Sequence, residues 1–578
     1  MSLAVRSTLA SAVSDAFVAL GLDHPDRVNL ERPASPEHGD WSSNVALTTA
    51  KKVGRNPREL GAALVGYLNE HLPPHTTAVE LAGPGFINFR LAPTWLYEVL
   101  NTVIEQGTAN YARLAMPNAR RVNLEYVSAN PTGPLHAGHA RWAAYGDALA
   151  RTLTRAGYHV HREFYINDRG VQMQKFALSL LARQANEPVP DGGYQGQYII
   201  DWAREMPTGL DVDQALEWGY AKALAYQQTT MRRMNVEFDT FASERAIAAS
   251  GAVEATLAEL EHRDHTYRSV EPEKTSDRDQ AQKTGGDALG NAAPATWLRT
   301  SSFIDPKRKK PLDDGDRALV KGDGKYTYFM PDIAYHRDKY ARGDLLIDIW
   351  GADHHGYVGR MKAAMMALGH DADDLEILIG QNCVLMRDGS EVKLSKRTGD
   401  IIELAELIDE FGADAAKLTF LLQSIDTRQT VDLDALVAKT LDNPVFYIHY
   451  AHARVYGLTR KAQEKGIVRW PLDQVDLNLL IHERELDVLR VVADLPDILA
   501  VAANDRAPHK ITTWVRELAS AFQSMYHDCP ILRDDVDESI RQARLWLVEA
   551  ARIGLAIGLD LLGVSAPQRM DDLPPDAA

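Results

Sequence analysis

Two histidines, His136 and His139, stand three residues apart just after a turn rich in glycine and proline. The residues before the turn alternate as in a β-strand, and those from about 137 to 156 have helical periodicity. The free N–H groups and the positive dipole end of such a helix form an anion site, to which both histidines can add donors. Gly138 lacks a side chain, so a base or ribose can lie against its backbone. The pattern favours a nucleotide-binding turn, although short motifs also recur by chance.

A second candidate is the basic, glycine-containing segment Lys393–Gly399, which includes Ser395 and Lys396. It follows a predicted hairpin turn at Arg387–Ser390. A loop with two lysines and an arginine can close over a polyphosphate and neutralise charge on the leaving group. Taken alone, the segment is better explained as a solvated basic turn.

The histidines also allow a different hypothesis, a dinuclear metallohydrolase. Its ligands would be His136, His139, Asp353, His354 and His355. That hypothesis leaves the lysine segment and the long helical C-terminal region unexplained, so we expect no metal site. A third hypothesis, a non-catalytic RNA-binding relative, predicts the loss of signature residues, and both motifs are intact.

The elements that must position these motifs form three regions. Residues 1–112 mix amphipathic helix with alternating stretches and predict an α+β module. Residues 113–402 have strand–helix–strand patterns on both sides of an insertion at about 200–320, which is most polar at 272–295. They predict a split Rossmann-like parallel-sheet domain. Residues 403–578 have almost only helical periodicity and predict an all-α bundle, so the fold class is α/β multidomain.

Length and composition set further limits. A chain of 578 residues suggests roughly three or four domains, and 45% hydrophobic with 25% charged residues is typical of globular proteins. The two cysteines, Cys383 and Cys529, exclude a disulfide framework and fit a reducing cytoplasm. No apolar run approaches the ~20 residues of a membrane-spanning helix, so no membrane partner is expected. The net charge of -17 repels nucleic acid on average but permits a local basic groove.

In this order, one in each half of the split domain, the two motifs resemble the HIGH and KMSKS signatures of class I aminoacyl-tRNA synthetases. Other stretches resemble arginyl-tRNA synthetases in particular, over about residues 38–570. These stretches are Glu125–Pro134, Tyr165–Gly170, Tyr328–His336, Gly351–His355, Asp442–Pro444, Tyr450–Arg454 and Leu561–Met570. The chain departs from the family pattern at Leu394 and Arg397 in the second signature, where both lysines remain. It also has Lys417 where the family's DALR motif usually has arginine, which keeps the positive charge.

The resemblance implies that the chain activates L-arginine with ATP and Mg2+ and transfers it to the 3′-terminal ribose of tRNA(Arg). It implies catalytic roles for His136, His139, Lys393 and Lys396. The implied ATP-binding residues are Pro134, His136, Gly138, His139, Lys393, Ser395 and Lys396. The implied arginine-binding residues are Glu125, Ser128, Asn130, His139, Tyr328, Asp332 and His354. Phe86 and Asn88 would contact a tRNA base, and we expect a monomer without a permanently bound cofactor.

Chemistry supports the arginine residues independently. A guanidinium presents a planar fork of donors and needs carboxylates in matching geometry. Glu125 ends a predicted sheet strand, where ligands bind in open α/β folds, and Asp332, with Tyr328 one helical turn earlier, could face the same crevice. A helix N-cap after Pro331 remains an alternative role for Asp332, and core packing an alternative for Phe86.

Overall fold

The computed structural model of the chain describes residues 2–33, 35–115, 119–274, 293–392, 402–436 and 443–570. The basic motif at 393–399, the centre of the polar insertion at 275–292 and the tail at 571–578 lie outside them. Within the described ranges, no helix combines the length and apolar character needed to cross a membrane.

The secondary structure is numbered here in chain order. The strands are β1 Trp41–Ser43, β2 Thr76–Ala82, β3 Phe86–Leu91, β4 Arg121–Glu125, β5 His159–Ile166, β6 Thr240–Ser243, β7 Thr266–Ser269, β8 Ala295–Leu298, β9 Arg317–Val320, β10 Leu345–Gly351, β11 Leu375–Gly380, β12 Cys383–Arg387, β13 Ser390–Val392 and β14 Gln429–Asp432. The first α-helices are α1 Ser2–Ala19, α2 Val45–Thr49, α3 Pro57–Glu70, α4 Thr94–Asn110, α5 His139–Arg155, α6 Val171–Gln184, α7 Gln197–Glu205, α8 Val212–Arg233, α9 Glu244–Ala249 and α10 Ala252–His262. The later ones are α11 Phe329–Lys339, α12 Val358–Ala367, α13 Leu404–Phe411, α14 Ala413–Phe420, α15 Leu433–Leu436, α16 Pro444–Glu464, α17 Glu483–Asn504, α18 His509–Asp528 and α19 Glu538–Leu561.

A five-stranded parallel sheet of order β11-β10-β4-β5-β6 forms the centre of the molecule. The chain runs from β4 outward to β6, which lies inside the predicted insertion at about 200–320, and later continues at β10 on the other side of β4. The strand order therefore reverses between β4 and β10, and ligands of open α/β sheets bind at the carboxyl edge at such a point. The predicted split parallel sheet is confirmed, whereas no sequence pattern predicted β6.

The two faces of the sheet pack differently. One face, with Leu124 and Ile347, packs on α5 and shares a continuous core with the N-terminal and C-terminal helices. The other face, with Leu346 and Leu375, packs on the apolar sides of α10, α11 and α12. Successive side chains along β4 and β10 point alternately to the two faces, as the two-residue period of a strand requires.

The smaller sheets lie around this centre. The N-terminal module has an antiparallel sheet of order β1-β3-β2, the insertion has β7-β8-β9, and a third sheet has the order β13-β12-β14. The predicted hairpin is confirmed, because Arg387 pairs with Ser390 across the β12–β13 turn. Asn56 is the N-cap of α3, and its side chain accepts a hydrogen bond from the Arg58 backbone N–H at 2.9 Å.

The N-terminal module packs on the C-terminal bundle. The Tyr97 hydroxyl donates to the Leu480 carbonyl at 2.9 Å, and the Tyr111 hydroxyl donates to the Val492 carbonyl at 2.9 Å. Arg32 forms an ion pair with Asp494 at 2.9 Å. The first and last parts of the chain therefore share one interface.

Candidate active site

The histidine motif lies between the carboxyl end of β4 and the start of α5. α5 begins at His139, with Gly138 as its N-cap residue, so His136 precedes the helix instead of lying in its first turn. The two imidazole rings are nevertheless adjacent, with 3.9 Å between their centroids. Both histidines thus lie at the anion-binding end of the helix.

Helices of the insertion hold the turn before the histidines. The Gln227 side-chain amide donates to the carbonyls of Asn130 at 3.0 Å and Gly133 at 2.8 Å, and the Tyr198 hydroxyl donates to the Thr132 carbonyl at 3.0 Å. Gly133 has φ near +155°, and a Cβ at this position would lie 2.7 Å from the Tyr198 ring. The turn therefore requires glycine here.

Backbone hydrogen bonds join the histidine motif to residues 402–404, which lie just beyond the basic motif in the chain. The Ala137 N–H donates to the Ile402 carbonyl at 2.9 Å, and the Leu404 N–H donates to the Leu135 carbonyl at 2.7 Å. His136 and Glu403 form the bridge between these two bonds. Residues 402–404 follow the basic motif along the chain, and the motif itself, with Lys393, Ser395 and Lys396, lies outside the described residues.

A cavity of about 570 Å³ separates the histidine motif from the β12–β13 hairpin. Its walls are His136, Gly138, Arg141, Trp142, Gln381, Asn382, Cys383, Val384, Glu391, Val392 and Arg428. Pro134 is buried beneath the motif. The Arg141 guanidinium donates to the carbonyls of Gln381, Ser424 and Thr427 at 2.7–2.8 Å, so it supports the wall.

Three buried carboxylates lie side by side at the carboxyl end of the sheet. Asp348 on β10 is in register with Glu125 on β4, which is in register with Glu163 on β5. Aligned residues of parallel strands point to the same face, so these side chains form a continuous group, named here the carboxylate row. The row faces α11.

Basic side chains in α11 and just after it pair with the carboxylate row. The Lys339 ammonium pairs with Asp348 Oδ1 at 2.8 Å and with Glu125 Oε2. Burial opposes the charged ammonium, but the carboxylates Asp348 and Glu125 outweigh it and raise the pKa of Lys339 well above its usual value. The Tyr335 hydroxyl lies 3.0 Å from Glu125 Oε2 and 3.0 Å from Glu163 Oε1.

The outer carboxylates of the row each have further partners. The Arg342 guanidinium donates twice to Glu163, at 2.8 Å each, and holds the pKa of that carboxyl below its usual value although burial opposes this. His336 Nε2 lies 2.9 Å from Asp348 Oδ2. Burial also opposes ionisation of Asp348, but Lys339 and His336 lower its pKa.

The predicted arginine-binding residues Glu125 and Ser128 come together. The Ser128 hydroxyl donates to Glu125 Oε1 at 2.8 Å and accepts the Tyr165 backbone N–H at 3.0 Å. A carboxylate has about four acceptor positions, so Glu125 retains capacity for a ligand donor. The Asn130 amide donates to Gln172 Oε1 at 2.6 Å.

The other predicted arginine-binding residues lie further out. Asp332 is inside α11 and accepts the Tyr357 hydroxyl at 2.7 Å, so the N-cap alternative is wrong, and burial raises its pKa. Tyr328 is 93% exposed, so the expectation that it faces the same crevice is not met in this structure. His354 is exposed on a 3-10 helix at Ala352–Tyr357, which follows the carboxyl end of β10.

Sequence reasoning missed Glu244, Tyr357 and Lys339. Glu244 directly follows β6; burial raises its pKa, and its ion pair with Arg169 at 3.9 Å is too long for a hydrogen bond. Because β6 was not predicted, the residue at its carboxyl end had no assigned place. The sequence pattern could have indicated Lys339. It follows Tyr335 by one helical turn, and this spacing predicts that both side chains lie on one side of α11.

The metallohydrolase hypothesis finds no support. Among the described residues, no three histidine, cysteine, aspartate or glutamate side chains lie close enough together to hold a metal ion. His354 and His355 are exposed on their 3-10 helix.

The predicted tRNA contacts on β3 differ in accessibility. Phe86 is 39% exposed, which argues against the core-packing alternative. Asn88 is only 3% exposed, and its Oδ1 accepts the Ser42 hydroxyl at 2.7 Å. The strand therefore presents Phe86 but not Asn88 to a ligand.

The C-terminal bundle contains a cavity of about 510 Å³ that sequence reasoning did not identify. The Arg454 guanidinium lies 4.7 Å from the ring centroid of Tyr450 and 4.6 Å from that of Tyr526. Lys461 and Arg569 also line the cavity. Aromatic rings beside cations suit an unstacked nucleobase and its phosphates.

Comparisons with known proteins cover almost the whole chain. Three family models match: "Arginyl tRNA synthetase N terminal domain" at residues 4–91, "tRNA synthetases class I (R), catalytic domain" at 100–195 and "DALR anticodon binding domain" at 448–570. An arginine–tRNA ligase of Frankia alni is 42% identical over 98% of this chain and 99% of that protein. One of Desulfitobacterium hafniense is 40% identical over 98% of both chains.

The fold also has a solved counterpart. The Thermus thermophilus arginyl-tRNA synthetase superposes with a TM-score of 0.73 at 22% identity, over 98% of this chain and 100% of that chain. Together with the curated relatives, the two motifs and the split parallel sheet, this establishes that the chain belongs to the arginine–tRNA ligase family of class I aminoacyl-tRNA synthetases.

Proposed function

We propose that this chain activates L-arginine with ATP and transfers the arginyl group to the 3′-terminal ribose of tRNA(Arg). The observation that carries the proposal is the pairing of residues 135–137 of the histidine motif with residues 402–404, which follow the basic segment in the chain, at the carboxyl edge of the sheet. A nucleotide in the cavity beside His136 therefore lies within reach of both described ends of the basic segment.

In the first step, an oxygen of the arginine carboxylate attacks the α-phosphorus of ATP, and the bond to the pyrophosphate leaving group breaks. His136, His139 and the backbone at Gly138 and Pro134 position the nucleotide from one side. Lys393, Ser395 and Lys396 also bind the nucleotide, and the two lysines stabilise charge on the departing pyrophosphate. Mg2+ enters with the substrate ATP and screens its phosphates. In the second step, the terminal ribose hydroxyl of tRNA attacks the adenylate and releases AMP.

The amino acid binds at the switch point of the sheet. Glu125 and Asp332 accept hydrogen bonds from the guanidinium of arginine, and Ser128 and Asn130 hold its ammonium and carboxylate. Tyr328 and His354, both exposed in this structure, complete the set of residues that we propose for arginine binding.

The tRNA contacts the two ends of the chain. Phe86 offers an aromatic face to a base of the tRNA body, and the cavity around Arg454 binds the anticodon. In this division, residues 1–112 contact the tRNA, residues 113–402 are catalytic and residues 403–578 bind the anticodon. We further propose that the enzyme acts as a monomer in the cytoplasm.

One assay tests the function directly. Purified protein, ATP, Mg2+ and total tRNA are incubated with each amino acid in turn, and charged tRNA is measured. Charging with arginine alone is expected. Charging with another amino acid, or release of phosphate without charging, would overturn the proposal.

A further inference from the structure

Lys339 connects a carboxylate inside the fold to a carboxylate of the arginine site. Its ammonium pairs with Asp348 Oδ1 at 2.8 Å and with Glu125 Oε2, and the side chain is fully buried. Asp348 has a second partner in His336 and has no role in the proposed reaction. Glu125 lies at the end of β4, where the substrate binds in our proposal. Lys339 therefore contacts one group that maintains the fold and one that faces the ligand.

The position of Glu125 makes its orientation dependent on a cation. It is the middle member of the carboxylate row, with Asp348 on one neighbouring strand and Glu163 on the other. Adjacent strands are about 4.8 Å apart, so like charges at this spacing repel each other strongly when they are buried. Arg342 compensates Glu163, whereas Lys339 is the cation that pairs with Glu125 among the described residues.

The two oxygens of Glu125 have different partners. The ammonium and the Tyr335 hydroxyl both contact Oε2, while Oε1 accepts the Ser128 hydroxyl on the side of the histidine motif. The ammonium lies 4.6 Å from the Tyr335 ring centroid, which further limits its movement. Without the ammonium, repulsion within the row would turn Glu125 away from this orientation.

We propose that Lys339 is a positioning residue for arginine recognition, because its ammonium holds Glu125 in the orientation that accepts the cationic substrate. This inference rests on the proposed function, in which Glu125 binds arginine. Lys339 does not itself touch the substrate or the reacting atoms.

A double-mutant cycle between Lys339 and Glu125 tests the proposal. The variants are Lys339→Met, Glu125→Gln and the pair, and the measured quantities are the arginine KM, the ATP KM and kcat of tRNA charging. We expect Lys339→Met to raise the arginine KM about tenfold or more with little change in the ATP KM. In the Glu125→Gln background, the same substitution is expected to change the arginine KM less than about twofold. An equal rise in both backgrounds would overturn the proposal.

A charge-balanced variant separates this effect from damage to the fold. Lys339→Met/Asp348→Asn also removes the buried carboxylate that loses its ammonium partner, but it still leaves Glu125 without its cation. It replaces Lys339→Met in the cycle if the single variant does not fold. Its arginine KM is expected to remain raised, whereas a return to the wild-type value would show that Lys339 serves Asp348 alone. Lys362→Met is the matched control, because that half-buried lysine donates to the Ala372 carbonyl at 3.1 Å and lies outside the site. Failure of the unmodified enzyme to charge arginine would instead overturn the proposed function.

Discussion

At the residue scale, the carboxylates near the sheet edge differ in whether a cationic side chain lies within hydrogen-bond distance. Glu163 and Asp348 have cationic partners within hydrogen-bond distance, and their pKa values are lowered. Asp332 and Glu244 lack such a partner among the described residues, and burial raises the pKa of each. The negative charge of Asp332 raises the pKa of Glu244 further. A cationic substrate bound at this edge would stabilise the ionised forms of Asp332 and Glu244.

The first prediction concerns pH. Protonation removes the charge that attracts a guanidinium, and the pKa of Asp332 is raised, so the arginine KM is expected to increase as pH falls, beginning above the usual value for an aspartate. The arginine KM of charging is measured from about pH 8 down to about pH 5. Asp332→Asn is expected to raise the KM at neutral pH and to flatten this dependence.

The control for this experiment is Glu217→Gln, because Glu217 pairs with Arg245 on the nearby surface. It is expected to keep the wild-type pH profile. A wild-type arginine KM that stays constant over the whole range would contradict the assignment of Asp332 to the substrate.

The second prediction concerns His139. His139→Ala is expected to slow adenylate formation by about 10²-fold, because a donor to the developing phosphate charge is lost. The measurement is arginine-dependent pyrophosphate exchange with tRNA present. His161→Ala serves as the control. His161 lies on β5, outside the histidine motif, and contacts Thr240 of β6 at 2.9 Å. Wild-type exchange in the His139 variant would refute its role.

At the scale of elements, the strands with strong patterns were predictable and the short ones were not. β4 alternates and β10 and β11 are apolar runs, so the sequence alone indicates a split parallel sheet. β6 and β14 have four residues each, too few to establish a period. The same limit applies to the site: motif spacing indicates His136 and His139, but the pairing of Lys339 with Glu125 exists only once three strands and a helix have packed.

One buried ammonium connects α5 to the end of the C-terminal bundle. Lys417, the residue that departs from the family's DALR motif, donates to Asp147 on α5 at 2.7 Å and to the Gly563 carbonyl at 3.1 Å. α5 begins at His139, so the turn after α19 and the histidine motif are attached to the same helix. The positive charge that Lys417 keeps at this position therefore has a structural role.

The third prediction tests this junction. Gly563 has φ near +65°, and a Cβ there would collide with both Asp147 and Lys417. Gly466 is the matched control, because it has φ near +69° but open space around its Cβ position. Gly466→Ala is expected to lower the free energy of unfolding by about 1 kcal/mol through backbone strain alone. Gly563→Ala should lower the free energy of unfolding by about 3 kcal/mol, because overpacking adds to that strain.

Thermal unfolding followed by circular dichroism gives the comparison. The apparent Tm of the Gly563 variant is expected to fall further than that of the Gly466 variant. Equal decreases would show that the junction can relax around an added methyl group.

At the scale of the whole molecule, the negative chain must bind a negative partner. The net charge of -17 contrasts with the local group of Arg454, Arg460, Lys461 and Arg569 around the cavity of the C-terminal bundle. Concentrating cations at one end of a repelling surface directs RNA to that end. The tRNA KM is therefore expected to rise with salt concentration.

The fourth prediction concerns Arg454. Arg454→Ala is expected to raise the tRNA KM about tenfold, since base stacking contributes about 1–3 kcal/mol per base, and to leave the arginine KM nearly unchanged. Arg484→Ala is the control, because Arg484 is exposed in the same bundle and pairs with Asp528 at 3.3 Å. Equal tRNA KM values for the two variants would remove the cavity from the tRNA-binding surface.

The interface between the first and last parts of the chain has a consequence for synthesis on the ribosome. α4 packs on α17 and α19, and the hydrogen-bond partner of Tyr97 lies 383 residues further along the chain. At about 5–20 residues per second, the nascent N-terminal module waits on the order of 20–90 s for these helices. During that interval, the face that carries Trp95 and Tyr111, which is buried in the finished protein, is open to chaperones that bind apolar surface.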